Sequence, residues 1–279
     1  MKNTVQEIIN NFIHWGTHCE NLKAAVLFGS QARTDGKADM FSDLDIILVV
    51  DDDALFLTTD QWLNEIGRFS VSFTEDSCDD TRMRRVIFNN GLDADLVFVP
   101  ESRIDILKNG HTAHEIECGY KVIIDKIGIQ AKLIPIDEKK QFYCAPTQQD
   151  FINLVNDFWF HVVWATKKLK RGELWAAKYC VDNYMKERLL TMIEHNARAI
   201  HGIEYNTWYD GRYLHEWANP YILQALSECF AHYNGADIKR ALIMTIDLFR
   251  KISVETAEIF GFTYPKETDA FVVEWVHSF

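Results

Sequence analysis

Two stretches of the sequence decide the fold: Ala24-Ala25-Val26-Leu27-Phe28-Gly29-Ser30 and Asp43-Leu44-Asp45-Ile46-Ile47-Leu48-Val49-Val50. Each contains an uninterrupted apolar run, which is typical of a buried strand. Because side chains alternate between the faces of a strand, Asp43 and Asp45 point the same way. Two such carboxylates repel each other unless a cation lies between them, and Mg²⁺ takes oxygen ligands that it shares with substrate phosphates. The Gly29-Ser30 turn offers backbone N–H groups and a hydroxyl to a phosphate, so the sequence predicts a metal–nucleotide site.

A second pair of strands is predicted further along the chain. Residues 85–88 and 95–99 are two apolar-rich runs that flank Asn89-Asn90-Gly91, a pattern typical of a hairpin. Asp95 opens the second run, and the nearly continuous apolar residues after it indicate a buried strand. Asp93, two positions earlier, is interpreted as a turn residue.

Composition and charge restrict the possible functions. The chain has 279 residues and a net charge of −12, with no basic footprint of the kind that proteins use to bind nucleic acid. An acidic protein favours a cationic acceptor through long-range attraction. No apolar run reaches the length of a membrane span, the start lacks a signal-peptide pattern, and the six cysteines are scattered. We therefore expect a cytoplasmic protein that contacts neither nucleic acid nor membrane.

The pattern of the chain changes near Pro135 to Pro146. Before this stretch short strands alternate with amphipathic helices, and residues 132–140 have the character of a linker. Thr147 is the predicted N-cap of the first helix that follows. Apolar spacing predicts four helices, over residues 151–162, residues 174–192, Tyr221 to Phe230 and Ala236 to about Phe260.

The second of these helices carries an oppositely charged pair. Lys178 and Asp182 are four residues apart, so they share a helix face, with Glu173 about one turn earlier and Tyr179 beside Lys178. The spacing alone favours an ordinary solvent-facing ion pair, which contributes only a few tenths of a kcal/mol.

Several stretches together carry a family resemblance. They are Gly29-Ser30-Gln31-Ala32-Arg33, Asp43-Leu44-Asp45, the Asp95 strand ending at Pro100, Phe158-Trp159-Phe160, residues 167–178, Asp182 and Met192-Ile193-Glu194. On these residues the sequence resembles the aminoglycoside 6-adenylyltransferases, the streptomycin-modifying enzymes of the DNA polymerase β-like nucleotidyltransferase superfamily. The resemblance covers essentially the whole chain. Lincosamide nucleotidyltransferases share much of this layout.

The resemblance implies an α+β fold of two domains. Residues 1–140 would form a polymerase β-like nucleotidyltransferase domain, a mixed sheet with flanking helices. Residues 141–279 would form an all-α helical bundle that binds the substrate. The family also implies a reaction, the transfer of AMP from ATP to a hydroxyl of streptomycin with release of pyrophosphate, which inactivates the antibiotic. The expected partners are ATP and a small cationic antibiotic, and the protein is expected to be a monomer.

The same resemblance assigns roles to individual residues. The family has a third carboxylate on a neighbouring strand, and Asp95 matches it, so Asp43, Asp45 and Asp95 are the expected Mg²⁺ ligands. Gly29, Ser30, Arg33 and Lys178 would hold the triphosphate, and Tyr179 would pack near the nucleotide. Asp182 is the expected general base, with Asp95 as its competitor. Two other functions stay open: a nucleotidyltransferase for a lincosamide, another small molecule or a protein hydroxyl, and a catalytically silent nucleotide-binding module.

Overall fold

The computed structural model describes residues 4–33, 38–109, 111–117, 119–133 and 144–278. The chain divides into two compact units, Met1–Phe142 and Tyr143–Phe279. The predicted boundary after residue 140, and the linker from residue 134 onward, lie outside the described residues.

A six-stranded mixed sheet forms the centre of the N-terminal unit, in the order β3-β4-β5-β2-β1-β6. The pair β2–β5 is parallel and the other four pairs are antiparallel. The two apolar runs that open the analysis form β1 and β2, which confirms the predicted mixed sheet. The strands are β1 (Leu22–Phe28), β2 (Leu44–Val50), β3 (Phe69–Asp76), β4 (Arg82–Phe88), β5 (Asp93–Pro100) and β6 (Lys121–Asp125).

The predicted hairpin is formed by β4 and β5. Its turn closes where the Phe88 N–H donates to the Leu92 carbonyl at 2.8 Å, and Gly91 has a φ of 88°, a value that favours glycine. Asp93 pairs with Ile87 as the first residue of β5. The interpretation of Asp93 as a turn residue is therefore wrong, because the ladder resumes directly after Leu92.

Helices cover the two faces of the sheet. On one face, Ile8 and Phe12 of α1 (Val5–His18) pack into a core with alternate residues of β2 and β5. On the other face, Leu107 of α3 (Ile106–Asn109) and Ile116 of α4 (His111–Glu117) pack against Ile47 and Val97 and their neighbours. The helices α3 and α4 are short, as is the other described α-helix of this unit, α2 (Ala54–Leu57).

The C-terminal unit is helical throughout its described secondary structure, as predicted. Thr147 caps α5 and exchanges hydrogen bonds with Asp150, which confirms the predicted helix start. The rings of Phe158 of α5 and Phe249 of α10 stack in the core, with their centroids 3.6 Å apart. The helices are α5 (Gln148–Lys170), α6 (Leu174–Tyr179), α7 (Met185–His201), α8 (Leu214–Trp217), α9 (Pro220–Leu226), α10 (Gly235–Phe260) and α11 (Lys266–His277).

Three details differ from the expected helices. The helix predicted over residues 174–192 contains a π-helical turn, Cys180–Tyr184, between α6 and α7. The helix predicted from Tyr221 to Phe230 ends at Leu226 and continues as a short 3₁₀ turn. The sequence analysis did not predict α11. No described helix is both long and apolar enough to cross a membrane.

Candidate active site

One cross-strand row brings two of the predicted site residues of the N-terminal unit together. Asp45 of β2 pairs with Phe28 of β1 on one side and with Asp95 of β5 on the other. Asp95 pairs in turn with Arg85 of β4, and Arg85 pairs with Phe73 of β3. Neighbouring strands are about 4.8 Å apart, so the two carboxylates lie side by side on one face of the sheet.

The Gly29-Ser30 turn lies at the end of this row. Gly29 follows β1 directly and has a φ of 68°, and a Cβ at this position would stand 2.1 Å from Asp45 Oδ2. Glycine is thus required for its backbone conformation and also for the close approach of the turn to the carboxylate. The turn and the carboxylate are consequently parts of one site.

Ser30 has a buried hydroxyl that lacks a hydrogen-bond partner. The residue is 7% exposed, and its Oγ is among the buried side-chain atoms of the described structure without a partner. A buried polar group that stays unpaired carries a desolvation cost of about 1–3 kcal/mol. Such groups are rare unless they serve a ligand, so the Ser30 hydroxyl is available to a bound phosphate.

Asp95 has an unusual electrostatic environment. Burial is the main factor that raises the pKa of this carboxyl, the guanidinium of Arg85 opposes the rise, and the carboxylates of Asp43, Asp93 and Glu75 add to it. Arg85 Nη2 lies 3.4 Å from Asp95 Oδ2, and Arg85 Nε lies 2.8 Å from Glu75 Oε1. Several acidic groups therefore repel one another around Asp95, and a bound cation would relieve that repulsion.

Arg85 is a member of the site that the sequence analysis missed. The sequence pattern places Arg85 at the start of a predicted hairpin strand and indicates no role for its side chain. The signal was present, because the turn closed by Phe88 and Leu92 places Arg85 opposite Asp95 three pairs further along the ladder. Extending the ladder from the turn would have predicted the contact.

The three predicted metal ligands are only partly assembled. Asp45 and Asp95 are in register, whereas Asp43 is exposed and precedes β2. Within the described ranges, no group of three or more His, Cys, Asp and Glu side chains is arranged to hold a metal ion. The donor chemistry nevertheless fits a hard divalent ion, since the groups are carboxylates and a nucleotide's phosphates would supply further oxygen ligands.

Arg33, another predicted phosphate ligand, follows the Gly29 turn. It is partly buried, and a Cβ on Gly119 would lie 3.1 Å from its Cγ. The segment before β6 thus packs against the Arg33 side chain. Residues 34–37, which follow Arg33, lie outside the described structure.

The predicted Lys178–Asp182 pair forms in the C-terminal unit. Lys178 Nζ donates to Asp182 Oδ2 and also to the Ala231 carbonyl, the latter at 2.6 Å. The Ala231 N–H donates to Asp182 Oδ1 at 3.3 Å. The side chains are 28% and 16% exposed, so the pair is not the solvent-facing one that spacing alone favoured. It ties the π-helical turn to the segment before α10, while Tyr179 is largely exposed.

The comparisons with known proteins identify the family of the chain. The family model described as Streptomycin adenylyltransferase matches residues 1–279. The chain belongs to the streptomycin adenylyltransferase family. The resemblance found in the sequence is confirmed, and the members of this family are nucleotidyltransferases.

Curated relatives of this streptomycin adenylyltransferase family member span nearly its whole length. An aminoglycoside 6-adenylyltransferase of Bacillus subtilis (strain 168) is 23% identical over 269 residues, which are 93% of this chain and 92% of the relative. The enzyme of the same name from Staphylococcus aureus is 21% identical over 270 residues, 94% of each chain. Among solved structures, an aminoglycoside 6-adenyltransferase from Bacillus subtilis is similar with a TM-score of 0.47 and 18% identity, covering 98% of this chain and 96% of that one.

Proposed function

We propose that the protein transfers AMP from ATP to a hydroxyl of an aminoglycoside, with streptomycin as the acceptor, and releases pyrophosphate. The observation that carries this proposal is the contact of the Gly29 turn with Asp45, which is itself in register with Asp95. A phosphate-binding turn directly beside paired carboxylates is the arrangement that nucleotidyl transfer needs. Membership of the streptomycin adenylyltransferase family supports the same reaction.

In this proposal the β- and γ-phosphates bind at the Gly29 turn. The unpaired Ser30 hydroxyl donates to a phosphate oxygen, and the backbone N–H groups of the turn add further donors. Arg33 supplies positive charge from the end of the same turn. Lys178 and Tyr179 belong to the C-terminal unit, and their predicted contributions to nucleotide binding stay predictions.

Asp43, Asp45 and Asp95 are the groups that would hold Mg²⁺. When bound, Mg²⁺ neutralises phosphate charge and makes the α-phosphate easier for an alcohol to attack. The carboxylates contribute a fixed negative surface, and burial together with their mutual repulsion raises the pKa of Asp95. A net charge of −12 on the protein also favours a cationic acceptor such as streptomycin.

Two carboxylates are candidates for the general base, and each makes a different prediction. Asp182 already accepts hydrogen bonds from Lys178 and from the Ala231 N–H. If Asp182 takes the hydroxyl proton, Asp182→Asn should abolish transfer and leave ATP binding intact. If Asp95 takes it, Asp182→Asn should keep most of the rate; Asp95→Asn should abolish the reaction and metal-dependent ATP binding in either case, because Asp95 is also a proposed metal ligand.

The deciding experiment is pyrophosphate release from Mg²⁺-ATP by purified protein. Streptomycin, a lincosamide and buffer alone are compared in parallel, with EDTA added to a further set. We expect release with streptomycin only, and none with EDTA. Release with the lincosamide alone would show that the acceptor is a lincosamide and not streptomycin, while the proposed transfer of AMP from ATP would stand. Absence of release with every acceptor, in folded protein that still binds ATP, would contradict the proposal and favour a silent nucleotide-binding module.

A further inference from the structure

Arg85 has two carboxylate partners, one on each neighbouring strand. Its Nε contacts Glu75 of β3 at 2.8 Å, and its Nη2 contacts Asp95 of β5 at 3.4 Å. Glu75 pairs with Met83, two residues before Arg85, so all three charged side chains share the sheet face that carries Asp45. A single guanidinium therefore bridges Asp95 to a carboxylate that lies outside the predicted metal-ligand set.

The Arg85 guanidinium competes with any metal ion at Asp95. A divalent cation needs the carboxylate oxygens of Asp95, and Arg85 now contacts one of them. The predicted ligands do not form a complete metal-binding group among the described residues. The ion pair supplies Asp95 with a counter-ion that belongs to the chain.

We propose that Arg85 is a removable counter-ion for Asp95 and that Glu75 holds its guanidinium once a divalent cation has bound. The inference rests on the proposed metal-dependent function. Arg85 is then a positioning residue, which acts on the reaction only through Asp95. Its side chain is 46% exposed, and ion pairs at such sites stabilise a protein little, so exchanging the guanidinium for a metal ion costs little.

Glu75 is essential to this arrangement. The Glu75–Arg85 contact is 0.6 Å shorter than the Asp95–Arg85 contact. In this proposal the Glu75–Arg85 contact is retained when the Asp95 carboxylate binds a metal ion instead of Arg85. Of the two carboxylates that contact the Arg85 guanidinium, only Asp95 is left when Glu75 is removed. Removing Glu75 should therefore strengthen the competition at Asp95 and weaken metal binding, whereas removing Arg85 should strengthen metal binding.

The test is the binding of Mn²⁺ alone to the full-length protein, without nucleotide, measured as free Mn²⁺ by electron paramagnetic resonance. At about 0.15 M salt, where charges are screened beyond about 8 Å, Arg85→Gln should lower the Kd for Mn²⁺ by about threefold to fivefold. Glu75→Gln should raise the Kd by a similar factor. Circular dichroism and thermal unfolding of each variant establish that it is folded.

A matched control separates the specific contact from a general change in charge. Arg82 lies on the same strand, is also 46% exposed and also pairs with an acidic residue of β3, Asp76, at 3.1 Å. It is about 10 Å along the strand from Arg85. Arg82→Gln removes the same charge and should leave the Kd for Mn²⁺ unchanged.

The double variant decides the question. If Glu75 acts through Arg85, Glu75→Gln has no further effect in the Arg85→Gln background, because there is no guanidinium left to hold. If Glu75 acts only by its charge, its effect is retained in that background, and the inference is wrong. Equal effects of Arg85→Gln and Arg82→Gln would also overturn it. Failure of the wild-type protein to bind Mn²⁺ would overturn both this inference and the proposed metal site.

Discussion

Asp45 and Asp95 are direct cross-strand neighbours in the parallel pair β2–β5. Parallel pairing places the same end of both strands at one edge of the sheet, and the common register turns both carboxylates to one face. The pairing of β2 with β1 on its other side then brings the Gly29 turn against Asp45. The topology of three strands thus accounts for the candidate site.

Loss of a carboxylate from the row should abolish transfer without unfolding the protein. We expect Asp45→Asn and Asp95→Asn each to reduce kcat for pyrophosphate release by about a hundredfold or more, since the charge that would hold a metal is removed. Asp76→Asn, on the same sheet but 90% exposed at the edge strand, is the control and should keep full activity. Substantial activity in Asp45→Asn would show that the row is not the reacting site.

Gly29→Ala should be more damaging than an alanine at another positive-φ glycine. At Gly29 the added Cβ would stand 2.1 Å from Asp45 Oδ2, whereas at Gly91, with a φ of 88°, a Cβ would meet nothing within 4 Å. Backbone strain alone costs about 1 kcal/mol at either site, and the clash adds to it only at Gly29.

Urea unfolding and ATP binding measure the two effects. Gly91→Ala should lose about 1 kcal/mol and bind ATP normally. Gly29→Ala should lose more stability and also bind ATP weakly. If Gly29→Ala and Gly91→Ala lose the same stability and both still bind ATP, the Gly29 turn does not contact the Asp45 carboxylate closely.

Ser30→Ala should separate binding from stability. The Ser30 hydroxyl is buried without a partner, so its removal should leave the free energy of unfolding unchanged or slightly higher, while the KM for ATP rises about tenfold. Thr245 is the comparison, because its buried hydroxyl donates to the Ala241 carbonyl at 2.7 Å. Thr245→Ser, which keeps that hydroxyl, should leave the KM for ATP unchanged. A loss of stability in Ser30→Ala with an unchanged KM would contradict a role in phosphate binding.

His195 should make the protein sensitive to mild acid. Burial, with the nearby charge of Arg198 as a second cause, lowers the pKa of His195 from 6.5 to about 4. Between these values the unfolded chain binds a proton that the folded protein does not, so stability is complete above about pH 6.5 and falls as the pH drops toward 4. The loss is on the order of 2–3 kcal/mol.

Unfolding curves between pH 7 and pH 4 check this expectation. His195→Gln should flatten the dependence of stability on pH in this window, while His215→Gln, at a side chain that is 74% exposed, should follow the wild type. Parallel curves for the wild type and His195→Gln would show that another group causes the acid sensitivity.

The features that the sequence could predict are those with a local signal. Apolar runs predict β1 and β2, a glycine-containing turn predicts the β4–β5 hairpin, and a capping residue predicts the start of α5. The edge strand β3 has no such run, because Ser70, Ser72 and Thr74 alternate with its apolar residues, and Val71 and Phe73 are exposed. The apolar residues of α11 likewise lie on more than one side of the helix, since Phe271 is 65% exposed and Val272 is buried.

Within the site, the sequence identified the carboxylates and the phosphate turn but not the contacts between them. The Arg85–Asp95 ion pair depends on the register of two strands, and the burial of the Lys178–Asp182 pair depends on Ala231, which is 49 residues beyond Asp182. Spacing along one helix cannot show a partner that arrives from a distant segment. For this reason the pair was expected to face solvent.

The π-helical turn Cys180–Tyr184 has a consequence for the length of the chain. Ala177, Val181, Met185 and Leu189 are all buried at a constant spacing of four residues. On an ideal α-helix that spacing drifts by about 40° per step, or about 120° over the whole run. The extra residue of the wide turn absorbs most of this drift. A one-residue deletion in this stretch would convert the wide turn into a regular α-helical turn and keep the apolar faces of α6 and α7 aligned, whereas a one-residue insertion would rotate α7 by about 100° relative to α6 and turn part of its apolar face to water. The stretch between Tyr179 and Met185 should therefore tolerate the loss of one residue better than the gain of one.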